Sequence, residues 1–185
     1  MTGSARSRLI AGTVSGLAIM AGTLGVGTAV TSPAQAAPAA SGLAAPAVVQ
    51  TGVLSADAAL KIADAAMKEA VKQKQRVTVA IVDRSGATRL VLKGDGAGPQ
   101  TEESARRKAF TAVSFGRTTS ELGKGVTGGG VSIADIPGTL FLAGGVPVAS
   151  GDAPIAGIGV GGAPSGDIDE AIAQAGLKAV AGQLR

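Results

Sequence analysis

Apolar positions recur along this chain at two spacings, and the switch from one to the other marks out its elements. From Ser55 to about Lys74, Leu60, Ala63, Met67 and Val71 fall on one helical stripe, while Lys61, Asp64, Lys68 and Lys72 face water. Ser55 offers the N-cap oxygen, and Asp64 with Lys68 adds an i,i+4 pair. Val77 to Val82 is then a β-branched apolar run too short for a helix. Almost free of polar alternation, it predicts a central strand covered on both faces. Asp83, Arg84, Ser85 and Gly86 form a turn into a second strand, Ala87 to Lys93, whose Arg89 and Lys93 place it nearer an edge.

After a loop at Gly94 to Gly98, Thr101 caps a second helix running to about Phe115, with Glu102 and Glu103 at its electropositive first turn. A short helical turn starts at Thr118 or Thr119 and fails at Gly123, where a glycine-rich stretch runs to Gly130 and is expected to be mobile. Thr139 to Leu142, Val146 to Ala149 and Pro154 to Val160 read as three short strands, the last two joined by a turn at Ser150, Gly151 and Asp152. A final helix opens with Asp167 and Glu170 as a capping box and buries Ile172, Ala175 and Ala179. Hairpin connections imply an antiparallel sheet of about five strands covered by helices, an α+β sandwich.

The N-terminus follows a different pattern. Arg6 and Arg8 precede an uncharged apolar stretch from Leu9 to about Val30, and Ala34, Gln35 and Ala36 give the small-x-small signature of signal peptidase. Residues 1–36 therefore read as a cleavable secretory signal, cut before Ala37, which makes the protein secreted. Five glycines between Gly12 and Gly27 argue against a retained span, and no cysteine exists to carry a lipid. Residues 37–54, rich in Ala, Pro, Ser and Gly, read as a flexible leader, and 55–185 as one domain.

Removing Arg6 and Arg8 lowers the formal net charge of +4 by two, so the basic balance owes much to the signal. With Phe110, Phe115 and Phe141 the only aromatic residues, a nucleic-acid partner is not expected. The chain has no His, Cys, Tyr or Trp. That excludes Ser-His-Asp and Cys-His nucleophiles, imidazole or thiolate zinc sites, iron–sulfur clusters and disulfides.

Several motifs lose to simpler readings. Gly157, Gly159 and Gly162 spell G-x-G-x-x-G, but no strand with an acidic residue follows the next helix, so the glycines are expected to admit a close backbone neighbour. Gly123 and Lys124 lack the other residues of a phosphate loop. Ser104 and Lys108 stand one residue too far apart for the S-x-x-K dyad. Arg106, Arg107 and Lys108 form the densest basic cluster. Either Glu102 and Glu103 pair with the two arginines as a solvated face, or the cations clamp a bound anion's carboxylates.

Read in order, Asp83-Arg-Ser-Gly, Gly94-Asp-Gly-Ala-Gly-Pro, Ser104-Ala-Arg-Arg-Lys-Ala-Phe-Thr-Ala, Thr118-Thr-Ser-Glu-Leu, Gly144-Gly-Val-Pro and Gly157-Ile-Gly-Val-Gly-Gly resemble the GlcG/HbpS-like family of extracellular haem-binding and haem-degrading proteins. The resemblance covers about Ser55 to Arg185. It implies a profilin-like sandwich, haem as ligand, homo-oligomers up to octamers, and in some members redox sensing with a membrane sensor kinase. On that resemblance, Arg106, Arg107 or Lys108 holds the propionates and Thr101 or Thr111 approaches the iron. Several members of the family that this sequence resembles carry a His where it has Gln100, so any axial ligation that used that His is lost. Met67, a Thr hydroxyl or a lysine remains, of which Met67 is expected in the core. The expected role is haem capture or sensing. The alternatives are a module for another small anionic ligand, or a ligand-free accessory of a sensor kinase.

Overall fold

The computed structural model describes residues 46–126 and 132–184; the signal, its cleavage point and most of the glycine-rich stretch after Gly123 lie outside them. In chain order the elements are α1 (Ala56–Lys72), β1 (Thr78–Asp83), β2 (Thr88–Lys93), α2 (Thr101–Phe115), α3 (Thr119–Gly123), a 3₁₀ turn (Ile133–Asp135), β3 (Gly145–Ser150), β4 (Ala153–Gly161), α4 (Gly166–Lys178) and a last 3₁₀ turn (Ala181–Gln183).

The four strands form one antiparallel sheet in the order β2-β1-β4-β3. β1 is central and buried along almost its whole length, whereas β2 is an exposed edge, as their sequence patterns predict. Alternation along the strands separates two layers. Val79, Ile81, Val146, Val148, Ile158 and Val160 meet α1 and α4 in the main core. Val82 meets Ala109, Val113 and Phe110 of α2 on the opposite face.

The glycines of β4 explain how closely α2 lies on the sheet. A Cβ at Gly157 would overlap the carbonyl oxygen of Ala109, and one at Gly159 would overlap that of Ala105. The first two glycines of the G-x-G-x-x-G string are thus a seat for a helix backbone, while Gly162 takes a positive φ against the Arg76 carbonyl.

Three expectations are corrected. Thr139–Leu142 is not a fifth strand, because its backbone is committed to α2: the Thr139 carbonyl accepts from Arg107 and the Leu140 N–H donates to Thr111. The α4 cap is Ser165, whose Oγ accepts from the Asp167 N–H; Glu170 instead accepts from Ser120 and from the Gly144 N–H. Ala175 is half-buried and Ala179 exposed, while Ile172, Ala173 and Gly176 carry the packing.

The stripe expected to bury α1 is also displaced. Ala59, Ile62, Ala63, Ala66 and Ala70 are buried, whereas Leu60 is 58% exposed, Val71 68% exposed and Met67 half-buried. Small residues win the inner face because α4 comes close there: a Cβ on Gly176 would stand 2.9 Å from the Ile62 carbonyl oxygen and 3.2 Å from the Ala66 methyl.

Candidate functional site

α2 carries every side chain of the sequence-derived site, and its helical twist sends them to different surroundings. Thr101 is not the cap. Gln100 holds that position without a side-chain bond, and Thr101 is buried in the first turn with its hydroxyl 2.7 Å from that of Thr78 and donating to the Gly98 carbonyl at 2.8 Å. Thr111 is fully buried; its hydroxyl donates to the Arg107 carbonyl and accepts from the Leu140 N–H, both at 2.8 Å. Both hydroxyls are committed to protein partners.

Lys108 is no surface cation. Its Nζ donates to Asp169 Oδ2 at 2.8 Å and to the Val160 carbonyl at 3.0 Å, and both side chains of the pair are only 4% exposed. Gly144 makes room, since a Cβ there would stand 2.8 Å from Lys108 Nζ and from Asp169 Cβ. Burial pushes the Asp169 carboxyl above its ordinary value, opposed by the hydrogen bond and charge of Lys108 and by N–H groups of Ala163 and Gly162. Ser104 is not bonded to Lys108, which removes the dyad.

The two arginines diverge. Arg106 is 3.9 Å from Glu102 and about half exposed. Arg107 makes no ion pair with Glu103; its Nη2 donates to the Thr139 carbonyl at 2.6 Å, and its buried Nε has no partner among the described residues. Both line a depression of about 150 Å³ against Phe110 and Thr88.

Among the larger concavities, two flank this helix or lie beyond it. A polar cleft of about 440 Å³ collects Gln100, Thr101, Ser104, Lys108, Gly162 and Asp169 where the α2 N-terminus meets the turn into α4. An apolar groove of about 520 Å³ runs between α1 and β2, lined by Leu60, Met67, Lys68, Val71, Leu90 and Leu92. Sequence periodicity hides the groove, because a Leu60-Met67-Val71 stripe at helical spacing reads as a core face. Among the described residues no cluster of three or more acidic or metal-ligating side chains occurs, and no helix is long and apolar enough to cross a membrane.

With this geometry in view, known proteins place the chain. The family described as haem degrading protein HbpS-like matches residues 54–178. The crystal structure of HbpS is 54% identical with a TM-score of 0.68, covering 71% of this chain and 93% of its own. A double Glu-to-Asp variant of Streptomyces reticuli HbpS is 53% identical with a TM-score of 0.67, covering 76% and 97%. PduOC in complex with haem is 27% identical with a TM-score of 0.64, covering 69% and 95%. No curated protein sequence matches. Sequence motifs, the α+β sandwich and these likenesses agree: the chain belongs to the HbpS-like family of haem-degrading proteins.

Proposed function

We propose that this protein is exported and binds haem outside the cytoplasm, as a haem-capturing or redox-sensing homo-oligomer that signals through a membrane sensor kinase. The observation that carries the haem reading is family membership, joined to the haem held by the related PduOC. The residues present fit such a ligand. Haem is a broad apolar plate with two carboxylates, and Arg107, whose Nε has no partner among the described residues, lines a depression of about 370 Å³ with Val126, Leu140, Phe141 and Leu142, the half-exposed Arg106 standing on the same helix. Lys108 is withdrawn from the clamp by Asp169, and a depression of about 150 Å³ takes a carboxylate but not a macrocycle.

Haemin titration of the mature protein, followed in the Soret band, tests the reading. Saturable binding near one haem per chain supports it, and the absence of any Soret change overturns it. A charge-assisted contact is worth about 1.5–3 kcal/mol, so Arg106→Ala/Arg107→Ala weakens binding roughly tenfold or more if the arginines hold propionates. Light scattering tests assembly, and co-purification with a membrane kinase tests signalling.

The polar cleft at the N-terminus of α2 motivates a second reading, a small anionic ligand held by Gln100 and Ser104, since Lys108 is already neutralised by Asp169. Calorimetric titration with short dicarboxylates decides it; heat of binding without any haem affinity would put this reading first.

A further inference from the structure

We infer that the groove between α1 and β2 binds a free medium- or long-chain fatty acid, its hydrocarbon chain lying along the exposed apolar stripe of α1 and its carboxylate meeting Lys68. This site does not rest on the haem reading, since the groove shares no residue with the depressions at Arg106 and Arg107.

The groove exists because the helical layer is too narrow for the sheet beneath it. Gly176 lets α4 close on Ile62 and Ala66 of α1, and the two helices cover the main core while the edge strand β2 is left largely exposed. What stays open is apolar. Leu60 and Val71 on α1 are 58 and 68% exposed, and Val91 and Leu92 on β2 are 36 and 37% exposed. All four gather on one concavity of about 520 Å³, with buried Ala63 and half-buried Met67 also in its lining. A contiguous apolar patch of this kind marks a binding surface, and the volume lies within the range of small-molecule sites.

Shape selects a chain as the ligand, and charge selects its head group. Leu60, Met67 and Val71 fall within a sector of about 40° around the helix and span about 16 Å of its axis, a straight track for an extended hydrocarbon. The unbranched Met67 side chain adapts to chains of different length. Lys61, Lys68 and Lys72, all exposed, fall in a second sector of about 40° beside that stripe. Asp64 lies between the two rows and holds Lys68 at 2.7 Å, and Glu69 holds Lys72 at 3.3 Å. The Asp64 pair is widely exposed; such a pair is worth little and releases its ammonium readily to a carboxylate. A flat bilayer suits the surface less well, because the apolar groups line a concavity and not a protruding face. A second copy suits it less well too, since Arg89 and Lys93 stand on the β2 edge that would have to pair.

Calorimetric titration of the mature protein with octanoate, decanoate and laurate, each below its micelle concentration, tests the inference. Saturable binding near one ligand per chain is expected, with affinity rising about fourfold for each added methylene. Lys61→Gln/Lys68→Gln weakens laurate binding by about fivefold or more. Leu60→Asp and Val71→Asp alter exposed positions, so each keeps a melting temperature close to that of the parent and loses saturable laurate binding. Absence of saturable binding by the parent overturns the inference, as does an affinity that is flat across the series or undiminished in both Asp variants. Two other results also overturn it. Sedimentation with vesicles of equal parts phosphatidylcholine and phosphatidylglycerol, without laurate binding, would make the groove a membrane contact. Loss of mass by the Asp variants in light scattering, with no laurate bound by the parent, would make it a subunit interface. Each of these results is read without haemin, so none of them bears on the haem reading.

Discussion

Replacing Gly159 by Ala is the sharpest test of how this fold is held together, because two effects of opposite sign compete. Gly159 does not need a left-handed backbone, so removing its freedom in the unfolded chain would by itself stabilise the protein by about 0.4–1 kcal/mol. The added methyl, however, would overlap the Ala105 carbonyl oxygen and stand 2.6 Å from the Ala109 nitrogen. These are backbone atoms of a helix, and they cannot swing aside as a side chain can. α2 would have to lift from the sheet by more than about an ångström to restore ordinary contact near 3.5 Å. That lift strains the Lys108 bonds to Asp169 and Val160 and opens the packing of Ala105, Ala109, Ala112 and Val113, each at most 1% exposed. Overpacking costs about 1–3 kcal/mol, and the loosened layer brings the total to roughly 3–5 kcal/mol. Against a total stability of about 5–15 kcal/mol this is large, and Tm should fall by roughly 10–20 °C. Urea unfolding of the mature protein measures it, with Gly182→Ala as control because a Cβ there meets nothing within 4 Å. A Gly159→Ala variant as stable as the parent would refute the close seating of α2 on β4.

Lys108→Met leaves Asp169 buried without its cation and should cost about 3–5 kcal/mol in urea unfolding, much of it regained in Lys108→Met/Asp169→Leu; equal stability of all three proteins would show that the pair is not buried as described. Asp83 is held below its ordinary carboxyl value chiefly by the Ser85 hydroxyl, aided by N–H groups of Ala87 and Ser85 and by Arg89. Its contribution is therefore present above the unfolded pKa and lost as pH falls through the lower folded value, so the stability deficit of Asp83→Asn should shrink on acidification below about pH 4. Mass spectrometry of secreted material should find Ala37 at the mature N-terminus, and an intact Met1 would refute the cleavage reading.

What the sequence determined by itself was whatever depends on neighbours along the chain. The β1–β2 hairpin, the buried character of Val77–Val82, the Ser55 cap, the helical turn starting at Thr118 or Thr119 and the glycine-for-close-approach reading of β4 are local patterns, and the structure carries each of them. The absence of His and Cys likewise bounded the chemistry before any coordinates. Tertiary structure decided where partners came from far along the chain. Lys108 looked like one of three surface cations, and only the arrival of Asp169, sixty-one residues away, turned it into a buried pair. Thr139–Leu142 had a strand's composition, yet Arg107 and Thr111 claimed its backbone groups before a neighbouring strand could. On α1 the periodicity was legible but its direction was not. A helix with two apolar stripes is ambiguous until something packs on it, and the close approach of α4 gave the inner face to alanines and turned Leu60, Met67 and Val71 toward the groove at the sheet edge.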